Sequence, residues 1–482
     1  MLPTSCQRRV GAPFVPQLQT DLISMLPDNI LSTILLLLPI KEAIRTSVLS
    51  SRWHDIWKLN PLNIDDSTRK FDNQQNFHEI RLKTLQAINR IASVHPGSIH
   101  SFRISQLREP AFHCEVDNLM ETLSSKGVRE LSLSFGYQGK LRYGLPSSLL
   151  QCQTLCKVSL SDCFFPPSPV VNSSFPNLRE LTLEYVFLWD HLLNCLLESC
   201  AQLEVLQLID CSGLQYVRLN CAKLQKLTIH ERSPSCGGSG SHVKEMIIES
   251  APELQSLRLG ERTVHHTRIL VQHVPKLEVL GFFPINGSMQ IGNTFSNSYN
   301  QHQMSVNGSI GLPTVKKVAL LADSMLSALF SFGNGSTCSL LSAMLRCFPC
   351  LETLYIKGSI EPTPHIGFWE QQAPFDFFGH HLKSVTVFQF LGMDAEVEFV
   401  KFFVQHGQVL ERISLICLFE PTDKLVRKLR REWCLENRAS IHLEVEFLHM
   451  TGFDPDSCEW APLFHRPLHE PISDLMSLLP TV

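Results

Sequence analysis

Two cysteines at a spacing used by metal and redox sites are the first residues in this chain that could do chemistry. Cys347 and Cys350 form a CxxC pair. A structural zinc site requires a second such pair at a suitable spacing, and a redox motif requires a thioredoxin-like context. This pair instead lies between Leu345 and Leu351, where a predicted helix turns into a strand. We interpret both cysteines as buried thiols.

The other residues with possible chemistry lack the neighbours that a site would need. Histidines occur in pairs at 265–266 and 380–381 without a partner pattern, so solvated or packing histidines are the default interpretation. The glycine-rich stretch 237–241 lacks the Lys-Ser or Lys-Thr that follows a phosphate-binding loop. No GxSxG or HExxH motif is present. The sequence therefore predicts no enzyme active site, no metal and no cofactor.

Residues 424–433 carry a basic amphipathic pattern, with Arg427, Lys428, Arg430 and Arg431 placed beside leucines and a valine. Such a helix can bind calmodulin, nucleic acid or acidic lipid. The same pattern more often marks a solvated helix face, and its role stays open at this point.

Composition excludes several classes of protein. The 482 residues are 44% apolar and 18% charged, which is typical of a globular protein. The net charge of −4 predicts neither nucleic-acid nor membrane binding. No signal peptide is recognisable, and the longest apolar run, 30–40, is far shorter than the ~20 residues that cross a bilayer. We therefore expect the cytoplasm and/or the nucleus, where the 16 cysteines would be thiols.

A phrase of the form apolar-x-x-apolar-x-apolar returns along the chain. Clear copies start at Leu178, Leu203, Leu224 and Leu254. Weaker copies start at Ile99, Val128, Leu155, Leu214, Leu277, Val315, Leu351, Leu382 and Leu410. At the end of each phrase apolar and polar residues alternate, as they do in a strand with one buried face. Many intervals between successive phrases are close to the ~20–29 residues of a leucine-rich repeat. The pattern predicts a leucine-rich-repeat solenoid.

The repeats are irregular in two ways. Leu203, Leu214 and Leu224 follow each other too closely for helices to fit between them. The stretches 233–242 and 284–314 are rich in Ser, Gly or Asn and predict inserted loops.

Residues 21–60 predict three short helices with more apolar surface than they can bury among themselves. In the first helix, Ile30, Ile34 and Leu37 form one stripe, and a second stripe consists of Leu31, Leu35 and Leu38. A later helix adds Trp53 and Trp57. Three helices of this size have too small a core for all of this surface. Either a partner protein covers the remainder, or the repeat body covers it as an N-terminal cap.

The residues of this unit closely resemble a plant-type F-box. The resemblance is carried by Leu26-Pro27-Asp28-Asn29-Ile30-Leu31, by residues 43–53 and by Trp57. It implies binding to the Skp adaptor of an SCF ubiquitin ligase. The adaptor-binding residues that it implies are Leu26, Pro27, Ile30, Ile34, Val48, Ser50, Arg52 and Trp53.

A second resemblance lies near the C-terminus. Residues 381–387, Gly392, residues 396–403 and residues 409–415 resemble the FBD domain of plant F-box/leucine-rich-repeat proteins. From the residues alone this segment is strand, helix and strand, so it could equally be a final repeat that caps the array.

Together these patterns predict an α/β repeat protein in which an all-α F-box of three helices precedes an irregular leucine-rich-repeat solenoid with an FBD-type cap. The predicted organisation is a tail at 1–20, the F-box at 21–60, a helical linker at 61–98, repeats at 99–375, the FBD at 376–448 and an irregular tail at 449–482.

The family resemblance implies a non-catalytic adaptor subunit of an SCF-type (cullin-RING) ubiquitin ligase, joined to a cullin through a Skp-type adaptor and holding an unknown target protein. Target contact is expected from outward positions of the repeat strands, namely Arg179, Glu180, Thr182, Glu204, Gln207, Gln225, Lys226, Gln255 and Arg258. The alternative is a leucine-rich-repeat scaffold or small-ligand receptor without a ligase role.

Overall fold

The structure is a computed structural model. It describes residues 23, 25–38, 40–66, 77–105, 107, 112–136, 142–146, 149, 152–165, 175–231, 243–260, 263, 267–284, 288–292, 294–297, 312–321, 337–357, 367–417, 420–433 and 435–449. The predicted tail at 1–20, the loop at 233–242 and the tail after His449 lie outside the described residues.

The α-helices of the described residues are α1 Asp28–Leu37, α2 Ile40–Thr46, α3 Ser51–Leu59, α4 Phe77–Val94, α5 His113–Ser125, α6 Asp190–Ser199, α7 Thr337–Leu345, α8 Asp394–His406 and α9 Asp423–Glu432. The strands are β1 Leu62–Asp65, β2 Ile99–Ile104, β3 Glu130–Ser134, β4 Tyr143–Gly144, β5 Lys157–Ser161, β6 Cys163–Phe164, β7 Glu180–Glu184, β8 Val205–Ile209, β9 Tyr216–Asn220, β10 Lys226–His230, β11 Glu245–Ser250, β12 Ser256–Leu259, β13 Arg268–His273, β14 Val279–Pro284, β15 Ser288–Ile291, β16 Thr294–Asn297, β17 Lys317–Leu321, β18 Thr353–Lys357, β19 Ser384–Phe390, β20 Arg412–Cys417 and β21 Glu444–His449.

One long parallel sheet carries the repeats. Its order is β1-β2-β3-β5-β7-β8-β10-β12-β14-β17-β18-β19-β20-β21. Each recurring phrase except the one at Leu214 supplies one of these strands. In β7 the side chains alternate between buried Leu181 and Leu183 and half-exposed Glu180 and Thr182. The alternation buries one leucine face of every strand in a continuous core, which is how a solenoid is stabilised.

The segment predicted as a helical linker is a repeat of its own. It contains α4, but it begins with strand β1, which pairs in parallel with β2. Leu62 and Ile64 of β1 are buried in the same core as the later repeats. The sequence did not predict β1, because its single pair of alternating apolar residues is too short a pattern to recognise.

A second sheet replaces the helices in the middle of the array. Its order is β16-β15-β13-β11-β9, parallel except for the pair of β15 and β16. The phrase at Leu214 therefore leads into β9 of this sheet and is not a further repeat strand. The stretch 284–314, predicted to be a loop, includes β15 and β16. The interval between β8 and β10, residues 210–225, is shorter than the one that holds α6 between β7 and β8, and an extended strand fits there.

Asp190, the first residue of α6, closes the free edge of this second sheet. Its Oδ1 accepts hydrogen bonds from the backbone N–H groups of Gln215, at 2.7 Å, and Tyr216, at 3.1 Å. An open strand edge would otherwise present unpaired donors. The Asp190 carboxylate thus links α6, the helix between β7 and β8, to β9, the edge strand of the second sheet.

The segment that resembles an FBD continues the long sheet rather than standing apart from it. β19 pairs with β18, and β20 pairs with β19. Leu382, Val385 and Ile413 are buried in the common core. The sheet then extends to β21, so residues 376–415 are not its last repeat among the described residues.

Glu396, near the start of α8, is a buried carboxyl held by backbone donors. Its Oε2 accepts the N–H groups of Leu391, Gly392 and Met393 at 2.8–3.1 Å. Its Oε1 has no hydrogen-bond partner among the described residues. Burial raises the pKa of Glu396 above its ordinary 4.5, and the backbone hydrogen bonds oppose that rise.

The Glu396 carboxyl is expected to make stability fall as the pH rises. A folded-state pKa above the unfolded value favours the folded protein at low pH, and this contribution is lost as the pH rises from about 4.5 through the folded pKa. The free energy of unfolding of wild type, relative to that of Glu396→Gln, should therefore decrease over this pH range in urea titrations. A difference that is constant with pH, or that grows with pH, would contradict this assignment.

Candidate functional site

The two apolar stripes of α1 differ in burial. Leu31 and Leu35 are buried in the small core of the three N-terminal helices. On the other stripe Ile30 is 42% exposed and Leu37 is 80% exposed, with half-buried Ile34 between them. These three residues are spaced at i, i+4 and i+7, so they share one side of the helix.

Further exposed apolar residues surround this helical unit. They are Ile23, Met25, Val48 and Leu49. Val48, in the turn that leads to α3, is 85% exposed. Pro27 is also exposed and Leu26 is half-buried. We define the adaptor face, named for the contact that the resemblance implies, as exposed Pro27, Ile30, Leu37, Val48 and Leu49 together with half-buried Leu26 and Ile34. An exposed apolar set of this size marks an interaction surface.

Three residues that the resemblance implied for adaptor contact make contacts within the helical unit, and their role toward an adaptor stays a prediction. Trp53 is buried with Leu31, Leu35, Ala43 and Ile56. The Ser50 hydroxyl accepts the backbone N–H of Trp53 at 3.3 Å and so caps α3. Arg52 forms an ion pair with Asp28 at 2.6 Å and donates to the carbonyl of Leu26. Arg52 thereby fixes the start of α1, where the adaptor face begins.

Leu37 and Leu49 belong to the exposed set but were absent from the predicted one. Leu37 had a signal, because it shares the stripe of Ile30. Leu49 had none, because a residue in a turn has no periodicity from which exposure can be read.

The opposite side of the helical unit is docked on the repeat body. Trp57 packs against both hydrophobic cores, and its ring lies 5.1 Å from that of His95. The Asn60 side chain donates to the Ser32 carbonyl at 2.8 Å, and the Asn60 carbonyl lies 2.9 Å from His95 Nε2. Burial lowers the pKa of His95, which favours a neutral ring here. The repeat body therefore covers one side of the unit, and the adaptor face on the other side stays exposed among the described residues.

The nine residues expected to contact a target lie in three neighbouring rows across the long sheet. Arg179, Glu204, Gln225 and Gln255 each precede a strand, Glu180 and Lys226 occupy the first outward position, and Thr182, Gln207 and Arg258 occupy the second. Arg179 pairs with Glu204 at 3.3 Å, and Glu180 pairs with Lys157 at 2.5 Å. The structure brings the nine together as one polar, charge-alternating surface.

Cysteine chemistry finds no support at the CxxC pair. Cys347 and Cys350 are half-buried, and burial raises the pKa of the Cys347 thiol. Burial also raises the pKa of Cys200 to about 11 and that of Cys211 to about 12. Within the described ranges, no group of three side chains could hold a metal ion. The prediction that all cysteines remain thiols without metal stays a prediction.

In the part of the chain that the structure describes, no helix is both long and apolar enough to cross a membrane.

A three-helix unit with an exposed apolar face, packed on the first strand of a parallel repeat array, defines an F-box joined to leucine-rich repeats. Family models agree: the F-box domain matches residues 23–65, the LRR repeats of FBD-associated F-box protein At5g56370 match 116–356, and the FBD matches 376–415. The chain belongs to the plant F-box/FBD/LRR-repeat protein family.

Similar proteins from Arabidopsis thaliana cover most of the chain. F-box/FBD/LRR-repeat protein At1g13570 is 25% identical over 84% of this chain and 92% of its own length. Putative F-box/FBD/LRR-repeat protein At4g03220 is 24% identical over 86% of this chain and 92% of its own length. F-box/FBD/LRR-repeat protein At3g52680 is 33% identical, but over 50% of this chain and 56% of its own length.

Proposed function

We propose that this chain is a non-catalytic, substrate-recruiting subunit of an SCF-type ubiquitin ligase. The observation that carries the proposal is the adaptor face: an F-box whose stripe of Ile30, Ile34 and Leu37 is not covered by the repeat body, which packs on the other side of the unit. Exposed apolar residues at helix spacing fit a partner that supplies its own helices. The partner would be a Skp-type adaptor, and through it a cullin.

The contribution of the chain would be proximity. The contacts of Trp57, Asn60 and His95 join the F-box to the repeats, so an adaptor on one side and a target on the other would be held at a fixed separation. Ubiquitin transfer itself would belong to other subunits, and a rigid holder reduces the entropy lost when the target meets them.

The target would bind the polar rows that include Arg179, Thr182 and Gln207, and the place of action would be the cytoplasm and/or the nucleus. We propose no nucleic acid, membrane or cofactor as a partner.

The alternative role as a small-ligand receptor lacks a site of suitable size at the junction of F-box and repeats, as far as the described residues show. The cavity there, between Leu35 and Trp57, is about 10 Å³ and has room for roughly one water.

Replacing Ile30 and Leu37 by aspartate should weaken binding to a Skp-type adaptor by about 2 kcal/mol or more, roughly 30-fold. The adaptor would bury both side chains, so two apolar anchors of the complex would become charged. Leu26→Ala with Pro27→Ala should act in the same direction. Binding would be measured by isothermal titration calorimetry with purified adaptor. The free energy of unfolding should change by less than about 0.5 kcal/mol, since both side chains are exposed.

Val94→Asp is the matched control. Val94 is 74% exposed on α4, outside the three helices that carry the adaptor face, and its replacement should leave adaptor binding unchanged. Unaltered affinity in the Ile30/Leu37 variant, or no affinity of wild type for any Skp-type adaptor, would favour the scaffold or receptor alternative.

A further inference from the structure

The C-terminal end of the long sheet leaves its core incompletely covered. β21 is the last strand of the sheet among the described residues and pairs with β20. Val445 and Phe447 hold the register positions of Ile413 and Leu415 in β20. Ile413 and Leu415 are 0% exposed, whereas Val445 and Phe447 are only half-buried. A repeat array needs a cover over its last unit, and an open strand edge needs a partner.

The helix at this end is strongly basic. α9 carries five basic residues, all of them exposed, and two acidic residues, so its net charge is five minus two, or +3. The apolar side of α9 packs on the core, where Leu429 is buried. Trp433, which follows α9, stacks on Phe447 with ring centroids 5.9 Å apart.

The basic helix and β21, the last strand of the long sheet among the described residues, form one surface. Arg430 Nη2 donates to the carbonyl of Val445 in β21 at 3.4 Å. Ile441, in the turn before β21, is 76% exposed. A ligand for this end of the solenoid would therefore combine negative charge with apolar side chains.

We propose that residues 453–460 of this same chain cover this end of the array. The segment reads Phe-Asp-Pro-Asp-Ser-Cys-Glu-Trp, with three carboxylates, two large aromatics and no basic residue. Its carboxylates complement the cations of α9, and its aromatics suit the open core beside Val445 and Phe447. The proposal is independent of the adaptor role of the F-box.

The segment, which lies outside the described residues, is within reach. β21 ends at His449, and residue 453 follows closely. An extended chain spans about 3.3–3.6 Å per residue, and a ten-residue helix such as α9 is about 15 Å long.

The test reverses charges in the full-length protein. One variant carries Asp454→Lys, Asp456→Lys and Glu459→Lys, a second carries Arg427→Glu, Lys428→Glu and Arg431→Glu, and a third combines both sets. Hydrogen exchange of the amides in 441–449 is followed at low salt, where charge interactions are least screened. Each single set should speed exchange there about tenfold or more, and the combined variant should recover most of the protection.

A matched control carries Glu470→Lys and Asp474→Lys, which remove the same type of charge further along the tail. This control should leave exchange in 441–449 unchanged. If the control raises exchange and the 454–459 reversal does not, the assigned segment is wrong. Unchanged exchange in the 454–459 variant, which alters no described residue, overturns the proposal even if the helix variant fails to fold. Concentration-dependent protection with a dimer in light scattering would assign the surface to a second copy instead and also overturn it.

Discussion

Arg81→Ala is expected to destabilise the repeat body by about 3–5 kcal/mol. Arg81, on α4, is 0% exposed and forms an ion pair with Asp66, which is 5% exposed. It also donates to the carbonyl of Ser105. Removing the guanidinium leaves a carboxylate in the interior without its countercharge, and an uncompensated buried charge is among the costliest single changes in a protein.

Loss of the Arg81–Asp66 ion pair should also loosen the strand and the junction next to it. Asp66 follows directly on β1, and its backbone N–H donates to the Arg103 carbonyl of β2 at 3.0 Å. β1 also receives the F-box, because Asn63 of β1 donates to the Leu36 carbonyl of α1 at 2.9 Å. Loss of the pair should therefore raise hydrogen exchange in both β1 and the junction with the F-box.

Urea unfolding followed by circular dichroism measures the effect, and Arg103→Ala is its control. Arg103 pairs with Asp65 at 3.5 Å between the same two strands, but both side chains are about half exposed. Exposed pairs contribute roughly 0–1 kcal/mol. The double change Arg81→Met with Asp66→Leu should recover most of the loss, because apolar replacement of a whole buried pair is tolerated. If Arg81→Ala costs no more than Arg103→Ala, the pair is not a structural anchor.

Most strands of the long sheet were predictable because each one carries the same apolar-x-x-apolar-x-apolar phrase. A phrase such as Leu203-Glu-Val-Leu206-Gln-Leu208 buries its leucines against the neighbouring repeat, and every later copy strengthens the same interpretation. β1, β21 and the second sheet were not predictable on these grounds. β1 and β21 lack the full phrase. Whether a strand or a helix fills the far side of a repeat depends on packing between repeats, which no local pattern encodes.

The F-box shows the same limit at the level of single residues. The periodicity of α1 separates two apolar stripes, but it cannot say which of them the repeat body leaves exposed. That choice is made by contacts distant in sequence, such as Asn60 with Ser32. Trp53 was expected at a partner face because of the surplus of apolar surface and the resemblance to an F-box. Its burial beside Leu31 and Ile56 follows from how α3 packs on α1, which no local pattern encodes.

Phe378→Ala is expected to cost about 3–5 kcal/mol and to loosen the repeat that precedes the FBD segment. Phe378 is 2% exposed, and its ring centroid lies 5.0 Å from that of Phe403 and 5.4 Å from that of Phe402, both on α8. Truncating a buried Phe leaves a cavity whose cost is in this range. This aromatic cluster holds α8 against the sheet at β19.

Loosening should spread because the sheet is continuous. β19 pairs with β18 from Thr353↔Ser384 to Lys357↔Phe388, so β18 gains a free edge when β19 opens. Hydrogen exchange in 353–357 should therefore rise together with exchange in 384–390. His380→Ala, at an exposed position in the following turn, is the control and should change neither. If the amides of β18 keep their protection while those of β19 and β20 exchange freely, the FBD segment unfolds as an independent module, and its description as the continuation of the repeat array is wrong.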